Sequence, residues 1–363
     1  MRIPVVDDAV GVILVAFESP PVVRWSSKGG MSALPKLNEG LVTSQLSNAG
    51  CGTIPRVVWT YWQSAPLPLI VDACLRSWHR HLPRYRVCLL SPSCLPAGLP
   101  PLPHGFTSWA PHIQSDWVRL AVLATFGGVW MDATTLLSGV TCANVSTDDG
   151  TLCTPLSFAE ALNAFDQPDF IGYYNLERTH NKVYPMVENW FIAAPARSVF
   201  MMRWWRSFDA MLLPDGSSDI NRVISGVTVS DLLQGFNVEP DYFACHAAAQ
   251  WVMRQHGGRL SLIPAELDAF FEPHSRGWDP ERICSWLCDA GIGGIRQTAR
   301  PLTKLISLLW RPLEERLQRG ELHRKSILGE LGEPEHAKQS NERTVVPVPP
   351  QTAPLVLSDA NAA

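Results

Sequence analysis

The sequence predicts an α/β sheet with helices packed against it. Three observations predict it. From residue 54 onward, β-prone apolar runs alternate with helical patterns in the order strand, helix, strand, loop, helix, strand. Residues 115–134, read as S-D-W-V-R-L-A-V-L-A-T-F-G-G-V-W-M-D-A-T, compress a helix, a glycine turn and a strand into one stretch. That apolar strand ends on Asp132, and in open α/β sheets ligands gather at the carboxyl ends of strands.

Each element has its own signal. Residues 1–53 read as a loosely structured extension, with Pro20-Pro21, Gly29-Gly30 and many Ser and Asn. R-V-V-W-T-Y-W then gives the first strand, and residues 69–81 a helix with Leu75 and Trp78 facing inward. Pro83 ends that helix and Y-R-V-C-L-L forms the second strand. Pro-rich loops over 92–111 lead to the central helix, where Ile113, Trp117, Leu120, Ala121 and Ala124 recur at helical spacing. Asp116 and Arg119 share a different face of it, being three apart. Gly127-Gly128 stops the helix, because glycine accepts the positive φ that closes a C-terminus.

Further along, D-F-I-G-Y-Y and W-F-I-A-A read as strands, and residues 199–212 and 246–255 as helices. From residue 301 a helix is expected with Leu302, Leu305, Ile306, Leu309, Leu313 and Leu317 as an apolar stripe. Its far end is basic through Arg311, Arg316, Arg319, Arg324 and Lys325. A core or partner-docking helix is one account, and peripheral membrane contact through residues 301–325 the other. After Gly329 the chain turns polar and Pro-rich, as disordered tails do. The expected organisation is an extension at 1–53, a catalytic domain at 54–312 and a basic helix end with tail at 313–363.

Bulk properties narrow the partners. The chain has 363 residues, 46% of them hydrophobic, enough for one large domain or two small ones. A net charge of -4 argues against nucleic acid as a general partner. The 14 Trp are either core residues or faces for sugars and bases to stack on. Nine Cys carry no C-x-x-C pair, and Cys284 and Cys288 lack a second pair at zinc spacing, so reduced structural thiols are expected. The apolar run at 10–17 follows Asp7 and Asp8 without a basic flank, so it is no clean signal peptide. No run approaches the roughly twenty apolar residues of a spanning helix. The expected location is therefore cytoplasmic, with any membrane contact peripheral. Neither G-x-S-x-G nor H-E-x-x-H occurs, which weighs against a hydrolase.

The segments I-P-R-V-V-W-T-Y-W at 54–62, S-W-H-R-H-L-P-R-Y-R-V at 77–87 and the block at 115–134 resemble the capsular polysaccharide synthesis protein family. That family is similar to the family 32 glycosyltransferases and, more distantly, to the glucosylating clostridial toxins. Weaker echoes follow in W-F-I-A-A, D-Y-F-A-C-H and T-K-L, so the resemblance spans about residues 54–310. It implies a GT-A-like fold with a central mixed sheet flanked by helices. The implied activity is retaining, hexosyl-type transfer from a nucleotide-sugar donor to a glycan or glycoconjugate acceptor, as in capsule biosynthesis. Trp59 matches the strand-end aromatic that stacks on the nucleobase. Ser115, Asp116 and Arg119 match the donor-binding helix, and Asp132 the first acid of a D-x-D motif.

The residue chemistry suits those roles. A carboxylate accepts two sugar hydroxyls with charge-assisted strength, and Arg offers a planar fork for phosphate or a paired carboxylate. An ordinary surface salt bridge is the plainer account of Asp116 and Arg119 taken alone. Thr134 stands where the toxin pattern has a second Asp, although the capsular family commonly reads D-A-T. A divalent cation, Mn2+ or Mg2+, would then rest on Asp132 with Thr134 as a weak neutral ligand. Asp231, Glu239, Asp241 and His246 are further candidate ligands. Without a metal, Arg119, His246 and Lys304 are the candidates to meet the leaving diphosphate. His246 is equally well read as a core histidine, and Lys304 as a snorkelling surface residue. An inverting course would need a base, for which Asp231 or Asp241 can be proposed. Two other readings stay open: a catalytically silent carbohydrate- or nucleotide-binding protein, and a sugar-phosphate transferase.

Overall fold

Side-chain alternation along the central strands decides how the molecule is layered. The computed structural model describes residues 53–137, 169–234, 236, 240–289 and 302–331, together with the strand backbones at 6–7 and 12–16. In chain order the elements begin with β1 (Val6–Asp7), β2 (Val12–Ala16), β3 (Val57–Tyr61), α1 (Leu69–His81) and β4 (Arg86–Leu90). The central segment gives α2 (Pro111–Phe126), β5 (Gly128–Met131), β6 (Thr135–Leu137), β7 (Phe170–Asn175), β8 (Met186–Ala194) and α3 (Val199–Met211). There follow α4 (Val229–Leu232), α5 (Ala244–His256), β9 (Arg259–Pro264), α6 (Phe271–Ser275), α7 (Pro280–Cys288), β10 (Leu302–Lys304) and α8 (Ser307–Gln318).

The main sheet runs β1-β2-β9-β7-β8-β5-β3-β4, and its six-stranded centre is the part from β9 to β4. It is mixed: β3 lies parallel to both β4 and β5, while β8 lies antiparallel to both β5 and β7. Successive strand side chains point to opposite faces. Val57, Trp59, Tyr61 and Trp130 accordingly join one apolar cluster with α2, α3 and α5. Val58, Val129 and Met131 join the other with α1, α7 and α8. The result is a mixed sheet between two helical layers, the α/β class the sequence predicts.

Helix α2 is buried almost all round, with Ile113, Gln114 and every residue from Asp116 to Ala124 inside. Pro111 opens it, where a missing N–H costs nothing. Gly127 closes it at φ 64°, its N–H donating to the Leu123 carbonyl at 3.0 Å. A Cβ there would stand 2.3 Å from the Ala196 backbone nitrogen, so no side chain fits. The turn throws the chain directly into β5, parallel to β3.

Three sequence expectations change. The extension at 1–53 carries β1 and β2, and β2 pairs antiparallel with β9 at the edge of the sheet. The helix expected from residue 301 starts at Ser307, and residues 302–304 form β10 on the free edge of β6. The apolar spacing there suited a helix, but an unpaired strand edge offered hydrogen bonds to the backbone and won. The boundary expected at 312 falls inside α8. Glu314 of that helix accepts the Leu69 and Ile70 N–H groups at 3.0 Å each, so it caps α1, whose own N-cap Pro68 has no side chain to do so. The chain stays packed beyond the helix, with Leu328 buried. The expected tail from 332 lies outside the described residues.

The apolar stripe of α8 faces inward: Leu309 and Leu313 are buried, while Arg316 pairs with Asp289 at 3.0 Å and Arg319 with Glu321 at 2.7 Å. No helix among the described residues is long and apolar enough to cross a membrane. Leu313→Ala should therefore cost about 2–5 kcal/mol in urea unfolding, the usual range for emptying a buried leucine site. Leu308→Ala, on the exposed side of the same helix, should stay within roughly 0.5 kcal/mol of the parent.

Candidate functional site

Asp132 is the residue after β5, and its N–H donates to the Trp190 carbonyl of β8 at 2.9 Å. Backbone pairing thus fixes where its carboxylate emerges. Oδ1 accepts from Arg119 Nη2 at 2.7 Å and from Trp130 Nε1 at 3.0 Å. Oδ2 accepts from Lys304 Nζ at 3.1 Å. The Asp132 side chain keeps 25% of its surface exposed, more than any of its charged partners.

Arg119 forks between two carboxylates. Nη1 donates to Asp116 and Nη2 to Asp132, and the guanidinium lies 5.0 Å from the Trp130 ring centre. Its side chain is only 4% exposed. The surface salt bridge allowed by the sequence is in fact a buried network, because α2 has no solvent-facing side here. Asn189 on β8 also donates to Asp116, at 3.1 Å. Burial pushes the Asp116 carboxyl up to about 6, against the pull of Arg119. Burial would raise Asp132 too, but Lys304 and Arg119 together outweigh it and hold the group down at about 2. Two carboxylates on one arginine are therefore pushed in opposite directions, Asp116 up and Asp132 down, so Asp132 is the more firmly ionised.

Lys304 arrives from far along the chain. β10 pairs antiparallel with β6 so that Lys304 faces Thr135 in register. Its own N–H donates to the Ala269 carbonyl at 3.1 Å, and the next N–H, of Leu305, to the Thr134 carbonyl at 2.9 Å. The ammonium is thereby brought to Thr134 Oγ1 at 2.9 Å as well as to Asp132. It is a buried site residue, not a snorkelling surface lysine. Beneath it, α1 holds β6 in place: Trp78 Nε1 donates to the Thr135 carbonyl at 2.6 Å, and Ser77 Oγ accepts the Leu137 N–H at 3.0 Å.

The remaining sequence candidates fall elsewhere. Trp59 is in mid-strand and 2% exposed, its indole N–H donating to the Gly127 carbonyl at 2.8 Å. It offers no face to a base, and its work is to brace the turn into β5. Ser115 is half-buried on α2, one residue before Asp116. His246 is buried beside Phe236 and Phe243; burial, with Arg119 adding to it, lowers its pKa to about 3, so it is a neutral ring at ordinary pH. That removes it as a cation for a leaving group. Asp231 closes a capping box with Thr228 at the start of α4. Asp241 is exposed and accepts from Ser218 at 3.2 Å. Glu239 lies outside the described residues.

Four residues near the cluster are missing from the sequence expectations. Trp130 and Asn189 complete the shells of Asp132 and Asp116. Glu188, next to Asn189, accepts from Asn175 Nδ2 at 3.0 Å, and burial raises it to about 7. Tyr242 is 56% exposed against His112, and its hydroxyl is raised first by burial and then by the Asp116 and Asp132 charges. Its ring packs against His112 and Phe243, is more than half exposed and lies within electrostatic reach of the two carboxylates. The available signal for the strand pair was Glu-Asn inside the run M-V-E-N-W-F-I-A-A, where polar residues interrupt a buried strand.

A divalent cation shared by Asp132 and Thr134 would bond to Oδ2 and Oγ1. Those are the two atoms on which the Lys304 ammonium sits. The other oxygen of Asp132 already takes two N–H donors. Among the described residues no group of three His, Cys, Asp or Glu could hold a metal ion. This donor set does not fit Mn2+ or Mg2+.

Residues 105–196 match the family model described as capsular polysaccharide synthesis protein. The match contains the block at 115–134 on which the sequence resemblance rests, and is shorter than the 54–310 span of that resemblance. Against curated protein sequences the chain has no match. Among solved structures it is similar to one named PaToxG glycosyltransferase, at 11% identity, covering 80% of this chain and 94% of the other, with a TM-score of 0.30. At that TM-score the likeness is too slight to bear on fold or chemistry.

The raised Glu188 pKa has a measurable consequence. Its folded value of about 7 exceeds the ordinary 4.5, so the folded state holds the proton more tightly than the unfolded chain. The stability it contributes is full below 4.5 and is lost as pH rises through about 7. Glu188→Gln cannot ionise, so its stability relative to the parent should climb between those two pH values. Urea unfolding across that window measures it; a difference independent of pH would contradict the assignment.

Proposed function

We propose that this chain is a glycosyltransferase of GT-A type that transfers a sugar from a nucleotide-sugar donor to a glycan or glycoconjugate acceptor. The observation that carries the proposal is Asp132 at the carboxyl end of a central strand, firmly ionised and half-sheathed by Arg119, Trp130 and Lys304. A fixed, partly exposed carboxylate of this kind suits sugar hydroxyls, each of which can donate to it. Beside it two buried cations suit the opposite charge, that of a diphosphate. The capsular family match over 105–196 supports the same reading.

In the proposed reaction the bond between the sugar anomeric carbon and the diphosphate oxygen breaks, its electron pair staying on that oxygen. The acceptor oxygen bonds to the anomeric carbon, on a retaining course in which the acceptor proton passes to the leaving phosphate. Charge grows on the diphosphate as the bond lengthens, and cations already in place stabilise it without reorganising. Tyr242, the exposed ring beside the cluster, takes the stacking role that Trp59 is too buried to play. The apolar stripe of α8 is used by the core, so membrane contact forms no part of this reading.

The test is turnover across a panel of nucleotide sugars with chromatographic analysis of products. A nucleoside diphosphate is expected. A nucleoside monophosphate would mean a sugar-phosphate transferase, and binding without turnover a silent carbohydrate- or nucleotide-binding protein. Asp132→Asn should lower kcat by about a hundredfold or more, the scale seen when a fixed charge partner is removed. Wild-type-like turnover in that variant would sink the site. Tyr242→Ala should raise KM by about tenfold and leave kcat within about twofold, as expected for loss of uniform binding.

A further inference from the structure

Lys304 stands between the two residues that the sequence offers to a metal ion. Its Nζ bridges Asp132 Oδ2 at 3.1 Å and Thr134 Oγ1 at 2.9 Å. These belong to the first and third residues of D-A-T, the pair between which a divalent cation would be held. We propose that the Lys304 ammonium is the built-in cation of this site, so that the donor diphosphate is bound without a divalent metal. The proposal rests on the glycosyltransferase reading above and goes beyond it, by assigning the charge that meets the diphosphate to the polypeptide.

The placement is structural, not incidental. Lys304 sits on a strand whose backbone is pinned on both sides, to Ala269 and to Thr134, and whose register with β6 is fixed. Its side chain is 9% exposed, so it does not wander into solvent. An ammonium has three N–H donors. Two are used by Asp132 and Thr134, and a ligand oxygen would take the third. Among the four groups that pair with one another, Asp116 and Asp132 supply two negative charges, Arg119 and Lys304 two positive ones. A divalent ion added to these four paired groups would leave them with an excess of positive charge, and would have to displace the lysine to reach Oδ2. The threonine fits the same account. A second carboxylate at 134 would call for a second positive charge, whereas a hydroxyl accepts the ammonium proton and adds none.

The experiment uses the full chain. Mn2+ alone is titrated against protein and the free-ion signal followed by electron paramagnetic resonance. UDP, GDP, ADP and CDP are then tested by calorimetry in EDTA and in Mn2+. The free Mn2+ signal should match that of buffer, and the affinity of whichever nucleotide binds should agree between EDTA and Mn2+ within about twofold. Lys304→Met should weaken that nucleotide by about tenfold or more in EDTA. The paired variant Lys304→Ser with Thr134→Asp opens the seat and supplies a second carboxylate, and it should deplete the free Mn2+ signal. The proposal is overturned if the wild type takes up Mn2+ and Asp132→Asn abolishes that uptake, or if EDTA costs the wild type about tenfold or more in nucleotide affinity. The wild-type Mn2+ titration needs no variant to fold. It also separates the two claims: failure of every nucleotide to bind would count against the transferase reading, while Mn2+ uptake at Asp132 would count against the role of Lys304.

Discussion

A buried guanidinium sets the terms for this structure. Arg119 lies in the buried stretch 116–124 of α2, and a charge taken out of water is tolerated only when it is paired and hydrogen-bonded. Asp116 supplies one partner from the same helix, three residues back. Asp132 supplies the other from the end of β5, and the chain can bring it there only because Gly127 turns without a side chain. The helix, the turn and the strand are therefore held to one another by charge as well as by packing. Removing either carboxylate would leave an uncompensated cation, a loss of roughly 3–5 kcal/mol in comparable networks.

From that network outward the site grows by long-range pairing. Asn189 reaches Asp116 because β8 runs antiparallel to β5, and Lys304 reaches Asp132 because β10 pairs with β6. The second case joins residues 172 positions apart in sequence. Its support is indirect: α1 anchors β6 through Trp78 and Ser77, and α8 caps α1 through Glu314. Helix α8, for which the sequence allowed either a core or a membrane-surface role, is part of the frame that aims the lysine.

Burial also sorts the residues that sequence pattern alone ranks together. Trp59 and Tyr242 are both aromatic residues within the resembling segments, yet Trp59 is inside the sheet and Tyr242 is more than half exposed. His246 and Lys304 were equal candidates for a positive charge. Burial, with Arg119 adding to it, leaves His246 neutral, whereas Lys304 is buried against an anion. Asp231 and Asp132 are both carboxylates, but Asp231 spends its oxygen on the Thr228 cap of α4. The deciding variable in each pair is what surrounds the group, and a one-dimensional pattern does not contain it.

What the sequence determined by itself is local. The α/β class, the extents of α1 and α3 to within a residue, the glycine stop after α2 and the emergence of Asp132 at a strand end all follow from periodicity, helix breakers and strand propensity over short windows. Those forces act between neighbours, so neighbours reveal them. Tertiary structure decided the rest: that Asp116 and Arg119 are interior, that residues 302–304 form a strand, and that an ammonium stands between Asp132 and Thr134. Each of these depends on a free strand edge or a covered helix face, and such surfaces exist only once distant segments have met.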